Sequence, residues 1–442
     1  MGVLTRLLAV ANSALPLLFS AHTHTLGDVH SRVWGWPLML RVVTLRAGAG
    51  SALAVRAGAL GLLAFASVSC DSSGRAYLAA PGPEDAKQLV LLVSNEASND
   101  ISFVDAASDT VLRSVPVGKR PRGLKVSPDG ARLYVALSGT PRGGPNVDES
   151  QLPPSDHSED GIGVVDLAAI RLAPKDGIVT QIAALQPGDG AGPSGAGVAG
   201  GGGTALQAKL VSGNDPETID ASPDGQLLAV ANEDSAQVRL IEARSGSLLA
   251  TLPVGLEPEG LRFRPDGRVI YVTSEASDQL DVIGVNERRV IATLSVSKRP
   301  RNILFSPEGD YAYITCELAG RIDVIDAQAH RTLTSIEIGG TPQALPMGMA
   351  LDPSEHRLYV TLGRAGEVAV IDTRSLRLLQ RIAGVGARPW GIALTPDGDK
   401  IYTANGPSGD VSVIDARSLQ VIRRIPVGKQ PWGLGLVRLR GR

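Results

Sequence analysis

Cysteine is nearly missing from this chain: of 442 residues, only Cys70 and Cys316 carry a thiol. That leaves no disulfide framework, no cysteine-rich metal centre and no Cys-x-x-Cys-His run for covalent haem. An excess of one charge is missing too. Lys and Arg number 43 against 45 Asp and Glu, a formal charge of −2, so nothing in the balance favours nucleic acid or an anionic membrane surface. Aromatic residues are scarce at 4%, whereas Gly (51) and Pro (29) abound, as many short strands joined by tight turns require. Past Cys70, histidine is limited to His157, His330 and His356, none of them placed to serve a serine nucleophile, and all three read as structural or solvated.

Long hydrophobic runs are lacking as well. The uncharged stretch Ala57–Val68 is about 12 residues, too short for a helix to cross a bilayer core about 30 Å thick. Preceded by Arg41, Arg46 and Arg56 and followed by small residues, it has the order of a secretory signal peptide over 39–70. Cys70 after Ser67-Val68-Ser69 resembles a bacterial lipoprotein cleavage box, which implies lipidation of Cys70, although Ser67 departs from the aliphatic residue that box prefers. Residues 1–38 read as an overcalled start, and 71–86 as a linker.

What is abundant is repetition. Ser127-Pro128-Asp129-Gly130 returns as Ser222-Pro223-Asp224-Gly225, Arg264-Pro265-Asp266-Gly267, Ser306-Pro307-Glu308-Gly309, Asp352-Pro353-Ser354-Glu355 and Thr395-Pro396-Asp397-Gly398. The prolines are 95, 42, 42, 46 and 43 apart, so the first gap holds one repeat plus an insertion within 138–210 that includes the Gly-rich 188–203. Pro presets φ and Gly supplies the φ > 0 position, closing a hairpin. Each repeat holds four short strands, which bury their faces only by stacking radially on copies of themselves. Seven innermost strands are expected, beginning at Gly123, Thr218, Gly260, Asn302, Gly348, Gly391 and Gly433. The last has no successors, and Leu89–Ser94, Ile101–Asp105 and Val111–Val117 complete its blade from the other chain end. The fold class is therefore all-β: a seven-bladed propeller over 87–442, closed by N- and C-terminal strands.

Leu133-Tyr134-Val135, Ile270-Tyr271-Val272-Thr273, Leu358-Tyr359-Val360-Thr361 and Ile401-Tyr402-Thr403-Ala404-Asn405 resemble the YVTN-repeat family of bacterial and archaeal propellers. More narrowly, Val93–Glu96, Pro116–Gly123, Ala231–Asp234, Val254–Gly260 and Lys429–Gly433 resemble the propeller encoded beside PQQ-dependent alcohol catabolism. That resemblance implies a secreted protein with no cofactor of its own, since the quinone would belong to a neighbouring enzyme.

The turns leading into the innermost strands open on one face, and around the axis they present Arg122, Glu217, Glu259, Arg301, Met347, Trp390 and Trp432. Loops after the second strands add Glu96, Glu233, Glu275 and Glu317 to this mouth. Tryptophan anchors with a charged rim suit an amphipathic ligand or a protein loop. A plainer reading pairs Arg122 with Glu217 and Arg301 with Glu259 across blade seams, the tryptophans plugging the channel. The four recurring glutamates could shift one another's pKa values or hold Ca²⁺, but recurrence is what any repeat produces, and no metal is assigned. The expectation is an extracytoplasmic, monomeric, non-catalytic platform for an unknown protein or small ligand, without nucleic acid and touching membrane only through a lipid anchor. The alternative is an enzyme or electron-transfer propeller of the cytochrome, quinoprotein dehydrogenase or lactonase type.

Overall fold

The structure, a computed structural model, describes residues 87–143, 149–170, 206–338 and 344–440, together with strands at 29–33, 36–47, 50–57, 65–70 and 76–78. The chain forms two compact units, Met1–Ala86 with Arg440–Arg442, and Lys87–Leu439. The first carries a five-stranded sheet in sequence order. Residues 39–70 fall largely in that sheet, but its side chains, that of Cys70 included, lie outside the described residues, as does the Gly-rich 188–203.

The second unit is the expected propeller: seven four-stranded antiparallel sheets. Blades one to seven begin with innermost strands Pro121–Val126, Pro216–Ala221, Pro258–Phe263, Pro300–Phe305, Pro346–Leu351, Pro389–Leu394 and Pro431–Arg440. These starts lie two residues ahead of the glycine landmarks in most blades, because proline is tolerated as the first residue of a strand, where its missing N–H costs no ladder bond. Blade seven runs Pro431–Arg440, Lys87–Asn95, Asp100–Asp105, Thr110–Pro116, so the two chain ends share one sheet. In blade one the fourth strand, Leu206–Leu210, arrives only after the insertion.

The cores sit between blades. Val90, Leu92, Phe103 and Val115 of blade seven pack with Leu133, Val135 and Leu137 of blade one, and Leu91 and Val93 pack with Tyr402, Val411 and Val413 of blade six. Each Pro-Asp-Gly turn is locked locally: in the first, Gly130 takes φ 72°, its N–H reaches Ser127 O at 2.8 Å, and Arg132 N donates to Ser127 Oγ at 2.9 Å. Innermost strands approach so closely that a Cβ on Gly391 would lie 2.5 Å from Trp432 O.

The threonine of the Tyr-Val-Thr strands has a defined duty. Thr273 Oγ1 accepts from Gly260 N at 2.9 Å in its own blade and donates to Arg301 O at 3.0 Å in the next. Thr361 does the same with Gly348 N (2.9 Å) and Trp390 O (2.8 Å), and Ser94 with Gly433 N (2.8 Å) and Arg122 O (2.7 Å). These hydroxyls staple the backbone of Arg122, Arg301 and Trp390 to the preceding blade. Removing one strands two buried groups, so Thr273→Val and Thr361→Val should each cost about 1–3 kcal/mol in denaturant unfolding. Equal midpoints for wild type and the double variant would contradict that duty.

Candidate functional site

The mouth is built from a tripeptide repeated at every lead-in turn, x-Pro-x. In six of the seven the residue before the proline is left-handed without being glycine, Leu345 being the exception: Arg120 (φ 46°), Asp215 (46°), Glu257 (52°), Arg299 (57°), Arg388 (53°) and Gln430 (56°). Such a conformation is uncommon outside glycine and persists when the surroundings over-determine it. Here an amide from the loop after the second strand holds the preceding carbonyl: Glu96 N to Gln430 O (2.9 Å), Glu233 N to Asp215 O (3.0 Å), Glu275 N to Glu257 O (3.0 Å) and Glu317 N to Arg299 O (2.8 Å). The two rings of candidate residues are thereby tied together.

They enclose a cavity of about 660 Å³. On one side Arg122 is the hub. It pairs with Glu217, whose side chain is fully buried, and lies 3.6 Å from Asp215, 3.5 Å from Glu233 and 3.7 Å from Glu96. Arg120 reaches Glu96 at 2.8 Å, and Arg142 lies 3.6 Å from the same carboxylate. On the other side Arg301 pairs with Glu259 (2.8 Å), Glu317 (2.8 Å) and Glu275, while Arg299 reaches Glu275 at 3.0 Å and Glu317 at 3.3 Å. The seam pairs Arg122–Glu217 and Arg301–Glu259 anticipated from the sequence both form.

Around Arg301, two guanidinium groups face the three carboxylates Glu259, Glu275 and Glu317, so one negative charge is in surplus. Burial, and then the charge of Glu259, push the Glu275 carboxyl up to about 8, against the opposing pull of Arg301 and Arg299. Burial likewise raises Glu259, with Arg301 opposing. For Arg301, burial disfavours the charge, but Glu259, Glu317 and Glu275 outweigh it and hold the guanidinium above its ordinary value. The result is a carboxyl group near neutrality beside fixed positive charge, in a cavity open to a ligand.

The remaining arc is aromatic. Trp390 and Trp432 stack with centroids 6.0 Å apart, Arg301 and Arg388 lie over Trp390 at 5.4 and 5.1 Å, and Arg122 lies over Trp432 at 5.8 Å. The glutamate of the second ring is replaced here by Gly363 and Gly406, which opens this sector. Among the described residues, neither Arg364 nor Arg388, both lining the cavity, lies within 4.0 Å of a carboxylate. Burial lowers the pKa of Arg388; the charge of Glu317 opposes this, and the smaller like-charge effects of Arg142, Arg301 and Arg364 add to it. Glu317 and Glu96 temper this corner, and its surplus of guanidinium groups suits an anionic group. Sequence reading missed Arg142, which lies in the blade-one insertion, and Arg364, which follows Gly363 in the blade-five counterpart of the glutamate-bearing loops.

Of the recurring glutamates Glu96 stands apart, facing Arg120 and Arg142, whereas Glu233 faces Arg122 and brings a carboxylate oxygen within 4.8 Å of Glu257 and Glu275, and Glu275 and Glu317 share Arg301. Glu217, Glu233 and Glu259 bring carboxylate oxygens within 4.8 Å of one another. Arg122 and Arg301 already supply the positive charge there. His330 lies in a turn, its Nδ1 2.8 Å from the Tyr271 hydroxyl, and His157 lies 2.7 Å from Asp160.

The chain matches the family model "Lactonase, 7-bladed beta-propeller" over residues 263–420, from the third blade into the sixth. No curated protein matches it. Among solved structures it is similar to a putative 6-phosphogluconolactonase from Bacteroides fragilis, at 15% identity and TM-score 0.61, covering 81% of this chain and 100% of the other. It is similar also to the Pseudomonas aeruginosa periplasmic gluconolactonase PpgL, at 20% identity and TM-score 0.58, covering 80% and 99%. A third similar structure is the dihydro-heme d1 dehydrogenase NirN, at 16% identity and TM-score 0.52, covering 81% and 76%. At these identities the structures establish the shared fold.

The family match corrects two expectations. The YVTN-repeat resemblance, and with it the link to PQQ-dependent catabolism, gives way to similarity with the lactonase propeller model over residues 263–420. Its Tyr-Val-Thr strands follow from position in the blade, where the tyrosine is buried between sheets and the threonine staples the seam. The expectation of a non-catalytic platform, drawn from that resemblance and from the lack of haem, mouth-histidine and triad signals, is overturned by the same match. An enzymatic role stands at least level with a purely binding one, which favours the alternative kept open from the sequence.

Proposed function

We propose that this chain is an extracytoplasmic lactonase-type hydrolase that opens the ring of a small sugar-acid lactone carrying an acidic group. The observation that carries the reading is the Glu275 carboxyl, held near 8 by burial and Glu259 beside Arg299 and Arg301. In its ionised form Glu275 takes a proton from the attacking water as that oxygen bonds to the lactone carbonyl carbon. The guanidinium groups stabilise the oxyanion that develops. As the ring C–O bond breaks, the leaving oxygen takes the proton back from Glu275, giving a hydroxy acid with water fully accounted for. Trp390 and Trp432 offer flat surfaces to the sugar ring, and Arg364 and Arg388 receive the acidic group. The names of the two similar lactonases, one periplasmic, support the reaction class and the compartment. The signal-like segment 39–70 and the candidate lipidation site Cys70 agree with that compartment.

The test is proton release by the purified full chain from glucono-1,5-lactone and its 6-phosphate, against spontaneous opening. Saturable acceleration, stronger for the phosphorylated compound, is expected. Rates equal to the uncatalysed background for both lactones would refute the reading.

A further inference from the structure

The insertion in blade one does more than lengthen a loop. Its described residues Thr140–Gly143 and Leu152–Ser155 form one wall of the cavity, and Arg142 projects from that wall toward Glu96 and the charge field of Arg388. Two buried side chains hold the wall: Ser138 Oγ accepts from Thr140 N at 3.0 Å, and Asp160 pins its root. Asp160 Oδ1 accepts from Gly139 N at 2.7 Å, and Oδ2 accepts from Asp215 N at 3.0 Å, with His157 Nδ1 2.7 Å away. Gly139 in turn receives Asp156 N at 3.1 Å, so both ends of the excursion meet at this carboxylate. Two further bonds spread the wall over its neighbours: Arg120 Nη1 donates to Thr140 O at 2.9 Å, and Thr140 Oγ1 to Asp234 at 3.3 Å.

We propose that Asp160 is a positioning residue that fixes this wall and so holds Arg142 at the positive corner where the acidic group of the substrate is selected. The inference rests on the proposed lactonase reading and names the element that sets its preference for charged lactones. Asp160 touches no substrate. It acts through the amides of Gly139 and Asp215, each of which would be a buried orphan donor without it. In Asp160→Asn one acceptor oxygen becomes a donor and must face an N–H, so the excursion is released at its root while side-chain volume is kept.

The experiment compares Asp160→Asn, Arg142→Gln and the double variant on glucono-1,5-lactone 6-phosphate and on neutral glucono-1,5-lactone. Asp160→Asn is expected to raise KM for the phosphorylated lactone about tenfold, with kcat within about twofold and the neutral lactone unaffected. The double variant should lose no more than Arg142→Gln alone, because both changes remove one interaction. Equal losses on both lactones, or additive losses in the double variant, would overturn the proposal. If wild type opens neither lactone, the reaction is wrong while the pin is still readable by calorimetry with 6-phosphogluconate. Weaker binding by about tenfold in Asp160→Asn then supports it, and unchanged binding overturns it.

Discussion

Glu275→Gln is expected to lower kcat for lactone opening by about a hundredfold or more, the usual share of a general base, with KM changed by no more than a few fold. Gln keeps the shape and can still receive a hydrogen bond from Arg299 or Arg301, so the loss reports proton transfer and not collapse of the site. The pH profile carries the same signature. As the base must be ionised, wild-type kcat/KM should climb with pH and level off above about 8, the value to which burial and Glu259 push this carboxyl. Stability should move the other way. A carboxyl raised in the folded state favours folding below its unfolded pKa, about 4.3, and that contribution is lost as pH rises through about 8. Glu275→Gln should accordingly flatten the fall in melting temperature across that window. A variant with wild-type turnover and a wild-type pH profile would remove Glu275 from the chemistry.

The second large effect concerns ring closure. Deleting residues 434–442 removes Leu434, Leu436, Val437 and Leu439 from the two cores that flank blade seven. Full burial of such side chains stabilises by about 1.5–3 kcal/mol each, so the deletion removes much of a net stability that is typically about 5–15 kcal/mol. It also leaves Lys87–Asn95 as an uncovered sheet edge. The truncated chain should therefore lose its cooperative melt and become protease-sensitive in blades one, six and seven. A melting temperature equal to that of the full chain would show that the seam contributes nothing.

How far the sequence reads follows from the range of each interaction. Blade count and closure were legible because Ser-Pro-Asp-Gly turns and apolar strands are local signals, repeated often enough to be counted. Arg122, Glu217, Glu259 and Arg301 were legible as facing residues because each follows a proline at a fixed place. The Glu275 pKa was not, since it depends on Glu259 from a strand start 16 residues away and on Arg301 from the next blade. Arg142, Arg364 and Asp160 were invisible for a related reason: they sit in loops whose neighbours come from other blades. The family assignment erred because Tyr-Val-Thr encodes a structural task, burial of the ring and stapling of a seam, that any propeller of this build can share.

The stapled seams have one further consequence. At Arg122, Arg301, Met347 and Trp390 the carbonyl is already claimed by a hydroxyl of the preceding blade, and the proline before each needs no donor. The backbone at those places is thus held independently of its side chains, although Arg122 and Arg301 also neutralise the buried carboxylates of Glu217 and Glu259 across their seams. A descendant gene could therefore exchange the side chain at Met347 or Trp390 and acquire a new diet without learning to fold again, whereas a change at Arg122 or Arg301 has to take its buried carboxylate partner with it.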